Sequence, residues 1–271
     1  MRIDAAVRAT FGLQSRRTKF VQPWAIDGSP EDHTVRLVYT VKSEIRYTGA
    51  LLAMENPEKA TVTFNSIPVD TTPVGYYADR DIKMIKLPVV EIGDNVLEIS
   101  MPFGLRTDLE ACYITGDFGC AYVGREARIV EKRDRLHFGS VVHQGLPFFG
   151  GNVEYDVPLS LESDSDIEIT VSQYRGALVG VKLDGVDVGR IAFQPFKLRL
   201  DNVKAGSHTL TYTLFGTRYN TFSAIHNLNA GKRRMYMGPD FWRSADEAWA
   251  YEYQTRPMGI LKTPVLKLRK R

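Results

Sequence analysis

The 271 residues suffice for one large or two ordinary domains. With 44% apolar and 25% charged residues, the chain can bury a sizeable core. A net charge of +3 is too small to argue for a nucleic-acid partner. No apolar run approaches the roughly 18 residues that span a membrane, and "MRIDAAVRATFGLQSRRTKF" lacks the apolar centre of a secretory signal. These features predict a soluble chain with no membrane partner, cytoplasmic rather than secreted.

The first half reads as strands. In "TVRLVYTVKS" (34–43), Val35, Leu37, Tyr39 and Val41 alternate with Thr34, Arg36, Val38 and Thr40. A period of two fits a half-buried strand. "KATVTFNSIPV" (59–69) is a strand running into a turn at Asn65-Ser66. "IKMIKLP" (82–88) and "NVLEISMP" (95–102) follow, joined at Gly93-Asp94, and "EACYITGDFGCAYVG" (110–124) completes the set. If that last segment turns at "TGD", Cys112 and Cys120 stand opposite each other; the expectation is a free, buried pair, with a disulfide as the alternative. No zinc-ligand spacing is present.

The charged stretch "GREARIVEKRDR" (124–135) is the best boundary, giving domains 1–130 and 131–271. Beyond it the strand grammar returns in "GGNVEYDVPLSL", "IEITVSQY", "LVGVKLDGVDVG", "FKLRLDNV" and "SHTLTYTLFG". Asp184-Gly185 is the tightest hairpin signal of the chain. Hairpin, strand, turn, strand and Phe-Gly-x-Arg occur in the same order in both halves, ending at Arg106 and at Arg218. Short strands and regular turns predict an all-β protein: two tandem antiparallel β-sandwiches of jelly-roll type.

"SADEAWAYEYQ" (244–254) is predicted as the one C-terminal helix, capped by Ser244 with Glu247 completing the capping box. An extended strand follows Pro257 and is expected to dock beside the N-terminal strand. The terminal "KLRKR" reads as a solvated end rather than a binding arm.

Three polar clusters could carry function. In "FGTRYNTFSAIHN", a glycine kink leaves Arg218, Asn220, His226 and Asn227 at or beyond a sheet edge. Such groups suit directional bonds to sugar hydroxyls. Because Phe-Gly-x-Arg is duplicated, Arg106 and Arg218 read as closing each sheet, and only Asn220–Asn227 as a site. In "HFGSVVHQGLPFFGGNVEY", His143, Gln144 and Asn152 bracket Phe148 and Phe149. That is either a sugar platform or a packed domain junction. In "RRMYMGPDFWRSADEAWAYEYQ", Tyr236, Trp242, Trp249, Tyr251 and Tyr253 are joined by Asp240, Asp246, Glu247 and Glu252. Glycoside hydrolysis needs two carboxyl groups about 5–10 Å apart. The turns "SDSD" (163–166) and "DRD" (79–81) could seat a structural calcium, though polar turns are the commoner use; no other cofactor is expected. Nucleophilic catalysis has no support, since neither a GxSxG elbow nor a Cys/His signature occurs.

Taken together, "GYYADRDIKMIKLP", "NVLEISMPFGLRTDLEACYITGDFG", "QGLPFFGGNVEY", "FGTRYNTFSAIHN", "GPDFWR" and "EYQTRPMGIL" resemble the non-catalytic C-terminal region of large bacterial glycoside hydrolases, rhamnosidase-like or uncharacterised. The resemblance runs from about Val21 to Leu266. It implies galactose-binding-like β-sandwiches that bind carbohydrate or buttress a separate catalytic module. A (β/α)₈ barrel takes about 250 residues, and no strand-helix alternation here supplies one. The expected site is Asn220, His226, Asn227, Tyr236, Asp240, Trp242, His143, Gln144 and Asn152, with no catalytic residue. Two alternatives stay open. One is a hydrolase with carboxylates from Asp240, Glu247 or Glu252 between the sandwiches, assisted by His226. The other is a purely structural interaction module.

Overall fold

The computed structural model describes residues 2–14, 30–107, 109–222, 225–228 and 249–271. The chain divides into two compact units. Unit 1 is Met1–Lys132 with His226–Glu252, and unit 2 is Arg133–Ile225 with Tyr253–Arg271.

Unit 1 opens with α1 (Arg2–Thr10). Its strands are β1 (His33–Ser43), β2 (Leu51–Glu55), β3 (Thr61–Phe64), β4 (Ile67–Val69), β5 (Gly75–Tyr77), β6 (Asp79–Lys86), β7 (Gly93–Phe103), β8 (Tyr113–Thr115), β9 (Gly119–Val123) and β10 (Glu126–Val130). They form one sheet in the order β4-β3-β7-β1-β10-β9 and a second in the order β5-β6-β2-β8. Between them lies a core drawn from both, including Leu52, Met54 and Ile85 from one sheet and Val62, Phe64, Leu97 and Ile99 from the other. The alternation in β1 is as the sequence predicts: Leu37 pairs with Ile99 and Tyr39 with Leu97 on the inner face. Arg36, on the outer face, reaches Glu98 at 2.7 Å.

Unit 2 contains β11 (Val153–Leu161), β12 (Ser165–Thr170), β13 (Tyr174–Arg175), β14 (Leu178–Leu183), β15 (Val186–Ile191), β16 (Lys197–Val203), β17 (Gly206–Phe215), α2 (Tyr219–Phe222), β18 (Gly259–Ile260) and β19 (Val265–Lys270). Its sheets are β11-β17-β14-β15 and β16-β12-β19, with the pair β13-β18 beside them. Ile167, Ile169 and Leu200 meet Val179, Val181, Leu210 and Leu214 in the core. The protein is thus all-β, built of sandwiches, and mostly antiparallel.

The two units share one strand plan. The order β4-β3-β7-β1 in unit 1 reads β15-β14-β17-β11 in unit 2, and β6-β2 reads β16-β12. Even the hairpins correspond. Asn65 and Ser66 have φ of 51° and 65°, and Asp184 and Gly185 have 50° and 82°, the left-handed pairs that two-residue hairpins require.

The duplicated Phe-Gly also has a physical reason. Phe103 ends β7 and Phe215 ends β17, and a glycine follows each. A Cβ on Gly104 would lie 2.5 Å from the Pro30 carbonyl oxygen, and one on Gly216 would run into the Gly151 carbonyl oxygen. Pro30 and Gly151 each stand just before the first strand of their unit. The glycine therefore lets the chain entering a unit cross the end of its central strand. In unit 1 a helix also pins the turn: Arg8 pairs with Asp4 at 3.0 Å and donates to the Leu105 and Thr107 carbonyls at 3.1 and 2.6 Å. Sequence reading did not predict α1.

Several expectations are corrected. Gly93-Asp94, expected as the turn joining two strands, is the start of β7, and the β6 and β7 it lies between enter different sheets. The "TGD" hairpin does not form: β8 pairs with β2, and β9 with β10. Cys112 and Cys120 are therefore not opposed. Both are free, half-buried thiols, and burial pushes each up to about 11.

The charged stretch 124–135 contains β10, which runs parallel to β1. Ile129 is buried, while Glu126 and Arg128 face out to Lys42 and Glu44 at 3.0 and 3.1 Å. A run of charge thus hides a strand when the charges fill its outer face.

Of the expected helix 244–254, residues 244–248 lie outside the described residues and 249–254 are not helical. Trp249 bridges Asn227, and the Ala250 N–H donates to the His226 carbonyl at 2.8 Å. The C-terminal strand β19 joins β12 rather than the N-terminal strand. It also takes in most of "KLRKR", whose Arg271 meets Asp166 at 2.6 Å.

Candidate functional site

In unit 1 the chain at 226–228 lies antiparallel to the chain at 249–250. The His226 ring donates through Nδ1 to the Ala250 carbonyl at 3.1 Å and stacks on Trp249, with ring centroids 5.4 Å apart and planes 24° apart. Trp249 and Tyr251 stand at 89° with centroids 4.5 Å apart. The Arg2 guanidinium lies 4.4 Å from the Trp249 ring centroid and 4.5 Å from that of Tyr251. It also hydrogen-bonds the Tyr251 hydroxyl. Arg125 approaches the same tyrosine at 5.8 Å.

Tyr251 is 49% exposed, Trp249 and His226 are half-buried, and Asn227 is buried. Here, then, are two aromatic walls at a right angle, reached by solvent and bordered by a histidine, an amide and two guanidiniums. Arg2 lies over both rings and His226 against Trp249, so a ligand would meet the exposed Tyr251 and this polar border, its apolar C–H surface against the aromatic edge and its hydroxyls or charged groups against the border.

Sequence reading noticed these aromatics but placed them on a helix. The segment is instead an isolated bridge at Trp249 followed by a bend. Arg2 gave no signal; its place here depends on α1.

The other expected residues are dispersed. Asn220 lies in unit 2 and His226 in unit 1, so one short stretch serves both units. Asn220 is buried; its amide donates to the Arg256 carbonyl and accepts from the Arg256 N–H, both at 2.8 Å. Gln144 is also buried, accepting from the His137 N–H at 2.8 Å and donating to the His137 and Ser140 carbonyls. Both amides are committed to backbone. Asn152 is exposed and accepts from the Gly216 N–H at 3.3 Å, while His143 is exposed on a 3-10 turn.

Phe148 packs edge-on against Tyr253 at 4.9 Å within unit 2, and Phe149 is 37% exposed. Arg106 and Arg218 are both exposed, each just after its sheet-closing glycine. Tyr236, Asp240, Trp242, Asp246 and Glu247 lie outside the described residues.

Of the two turns considered for calcium, Asp164 binds Lys204 and the Ala205 N–H, and Asp166 binds Arg199, Arg271 and the Asn202 N–H. Asp79 accepts from the Asp81 N–H. No group of three His, Cys, Asp or Glu side chains able to hold a metal occurs among the described residues. No helix among them is long and apolar enough to cross a membrane.

No protein-family model matches the chain, and no curated protein does. Among solved structures it is similar to a rhamnosidase from Novosphingobium sp. PP1Y, at 14% identity and a TM-score of 0.35, over 86% of this chain and 23% of that one. An α-L-rhamnosidase from Streptomyces avermitilis, solved with L-rhamnose, matches at 16% identity and a TM-score of 0.29, over 71% of this chain and 24% of that one. A lectin from Pleurotus ostreatus, solved with GalNAc, matches at 8% identity and a TM-score of 0.23, over 68% of each chain. The chain spans about a quarter of the length of the two rhamnosidases.

Proposed function

We propose that the chain is a carbohydrate-binding accessory region of a glycoside hydrolase, working beside a catalytic module that it does not itself supply. The observation that carries the binding role is the solvent-reached right angle of Trp249 and Tyr251, flanked by His226, Asn227 and Arg2. A pyranose presents an apolar C–H face and a rim of hydroxyls, and this cluster offers the complementary surfaces. The accessory role is supported by the all-β plan, which has no strand-helix alternation of a barrel among the described residues. It also draws on the resemblance of "QGLPFFGGNVEY" and "FGTRYNTFSAIHN" to that region of such enzymes.

Affinity electrophoresis and calorimetry against a panel of plant and bacterial polysaccharides, rhamnose-containing ones included, test the reading. Binding is expected for at least one polymer. Trp249→Ala and Tyr251→Ala should each weaken it about tenfold or more, a loss of about 1.4 kcal/mol, with unchanged circular dichroism. Binding by neither wild type nor variants, or binding indifferent to both substitutions, refutes this face. Release of reducing sugar by the purified chain refutes the accessory role.

A further inference from the structure

The face at Trp249 and Tyr251 carries more positive charge than a neutral sugar needs. The Arg2 guanidinium stands 4.4 and 4.5 Å from the two ring centroids and donates to the Tyr251 hydroxyl, and Arg125 approaches Tyr251 at 5.8 Å. Two like charges gathered at one tyrosine repel each other, and the ring offsets only part of that repulsion. Among the described residues neither arginine has an ion pair. Asp4, on the helix of Arg2, is buried and bound to Arg8 at 3.0 Å. Glu126, next to Arg125, is held by Lys42 at 3.0 Å. Glu252 is exposed, its Cγ 3.9 Å from where a Cβ on Gly124 would lie. Two guanidiniums thus stand against the single carboxylate of Glu252.

Both cations project from fixed parts of unit 1. Arg2 opens α1, and Arg8 of that helix is tied to the Leu105 and Thr107 carbonyls. Arg125 is the second residue of the two-residue turn between β9 and β10, where Val123 pairs with Glu126. A donor fixed before its ligand arrives loses less freedom on binding. A guanidinium offers five N–H donors in a planar fork. Tyr251 takes one from Arg2, which itself remains exposed. That fork matches the paired oxygens of a carboxylate or a sulfate better than it matches a lone hydroxyl. Arg2 also lies over both rings, so a sugar meets the edge of the half-exposed Tyr251 together with the two cations.

We propose that this face selects acidic sugars, whose carboxylate or sulfate ester is held by Arg2 and Arg125 while the ring lies against the edge of Tyr251. This rests on the carbohydrate reading above and adds the charge of the ligand to it.

The test is calorimetry of the full chain with oligosaccharides matched in ring and differing in charge. Oligogalacturonate is compared with its methyl ester, and κ-carrageenan oligosaccharides with their desulfated form. The acidic member of one pair should bind about tenfold or more tighter than its neutral counterpart. Arg2→Gln and Arg125→Gln should each weaken that binding several-fold. Arg80→Gln, an equal loss of charge on β6 in the other sheet, should leave it unchanged. If Arg2→Gln loosens α1, Arg125→Gln, in an exposed turn, carries the comparison. Preference within the first pair assigns a uronate, and within the second a sulfate ester.

Equal or tighter binding of the neutral members, or acidic binding that Arg125→Gln leaves unchanged or that Arg80→Gln weakens as much, overturns the inference. So does binding of none of the four when a neutral polysaccharide binds through Tyr251, and the carbohydrate reading then stands without it. Binding of no carbohydrate at all removes the reading and the inference together.

Discussion

Asn95 is fully buried, and its side chain ties three parts of unit 1 together. Its amide nitrogen donates to the Glu91 carbonyl at 2.8 Å and toward the Val41 and Gly93 carbonyls at 3.3 and 3.4 Å. Its oxygen accepts from the Glu91 N–H at 2.9 Å and from the Asn65 amide at 2.8 Å. Removing it strands buried donors and acceptors, each costing about 1–3 kcal/mol. Asn95→Ala should therefore lose roughly 2–4 kcal/mol in urea unfolding, several times the effect of an exposed substitution such as Thr40→Ala. Asparagine at a turn is legible in sequence; asparagine as a hub is not, because its partners are up to 54 residues away. The same limit explains Asn220 and Gln144. An amide that suits a sugar hydroxyl suits a backbone peptide equally well, and burial decides between them.

Among the elements, the turns between β14 and β15 and between β16 and β17 are joined by His208. Its Nδ1 lies 2.6 Å from Asp184 Oδ2 and its Nε2 lies 2.9 Å from the Lys204 carbonyl, while Asp184 Oδ1 accepts from the Thr209 N–H. Both ring partners are acceptors, so the geometry asks for a proton on each nitrogen, the charged imidazolium. The Asp184 carboxylate, then the Lys204 carbonyl, hold His208 above its ordinary value; His208, then the Thr209 N–H, hold Asp184 below its own.

The raised histidine stabilises below its unfolded value of about 6.5 and loses that stabilisation as pH climbs through the folded value. The lowered aspartate stabilises above its unfolded value of about 3.9 and loses it as pH falls through the folded one. The pair should thus stabilise unit 2 most between about pH 4 and 6.5. His208→Gln should flatten the alkaline decline in urea midpoint measured across pH 5–9, and an unchanged decline would assign it to other groups.

The hairpin turns at Asn65-Ser66 and Asp184-Gly185 are legible because two residues fix their own geometry. Which sheet a strand enters is not. β6 and β7, like β8 and β9, are neighbours in sequence that enter different sheets.

At the scale of the molecule, one strand plan occurs twice around two cores that share no residue. The repeat is legible because the turns and the Phe-Gly pair recur in order. The placing of His226–Glu252 with unit 1 is not, because among the described residues it shows in Arg2 and Arg125 against Trp249 and Tyr251, partners far apart in sequence. Separate cores imply separate cooperative units. Ile167 is fully buried in unit 2, and Ile167→Ala should cost about 2–5 kcal/mol there. Hydrogen exchange should accelerate at the amides of β12, β14 and β17 while those of β1, β2 and β7 keep their wild-type protection. Uniform acceleration would mean a single cooperative fold.

The last strand, finally, is a zip. β19 covers the side of β12 that β16 leaves open, so the six residues Val265–Lys270 shield a peptide edge as much as they add a sheet member. Digestion by a carboxypeptidase would bare the row of N–H and C=O groups along Ser165–Thr170, a ready template on which neighbouring molecules could stack.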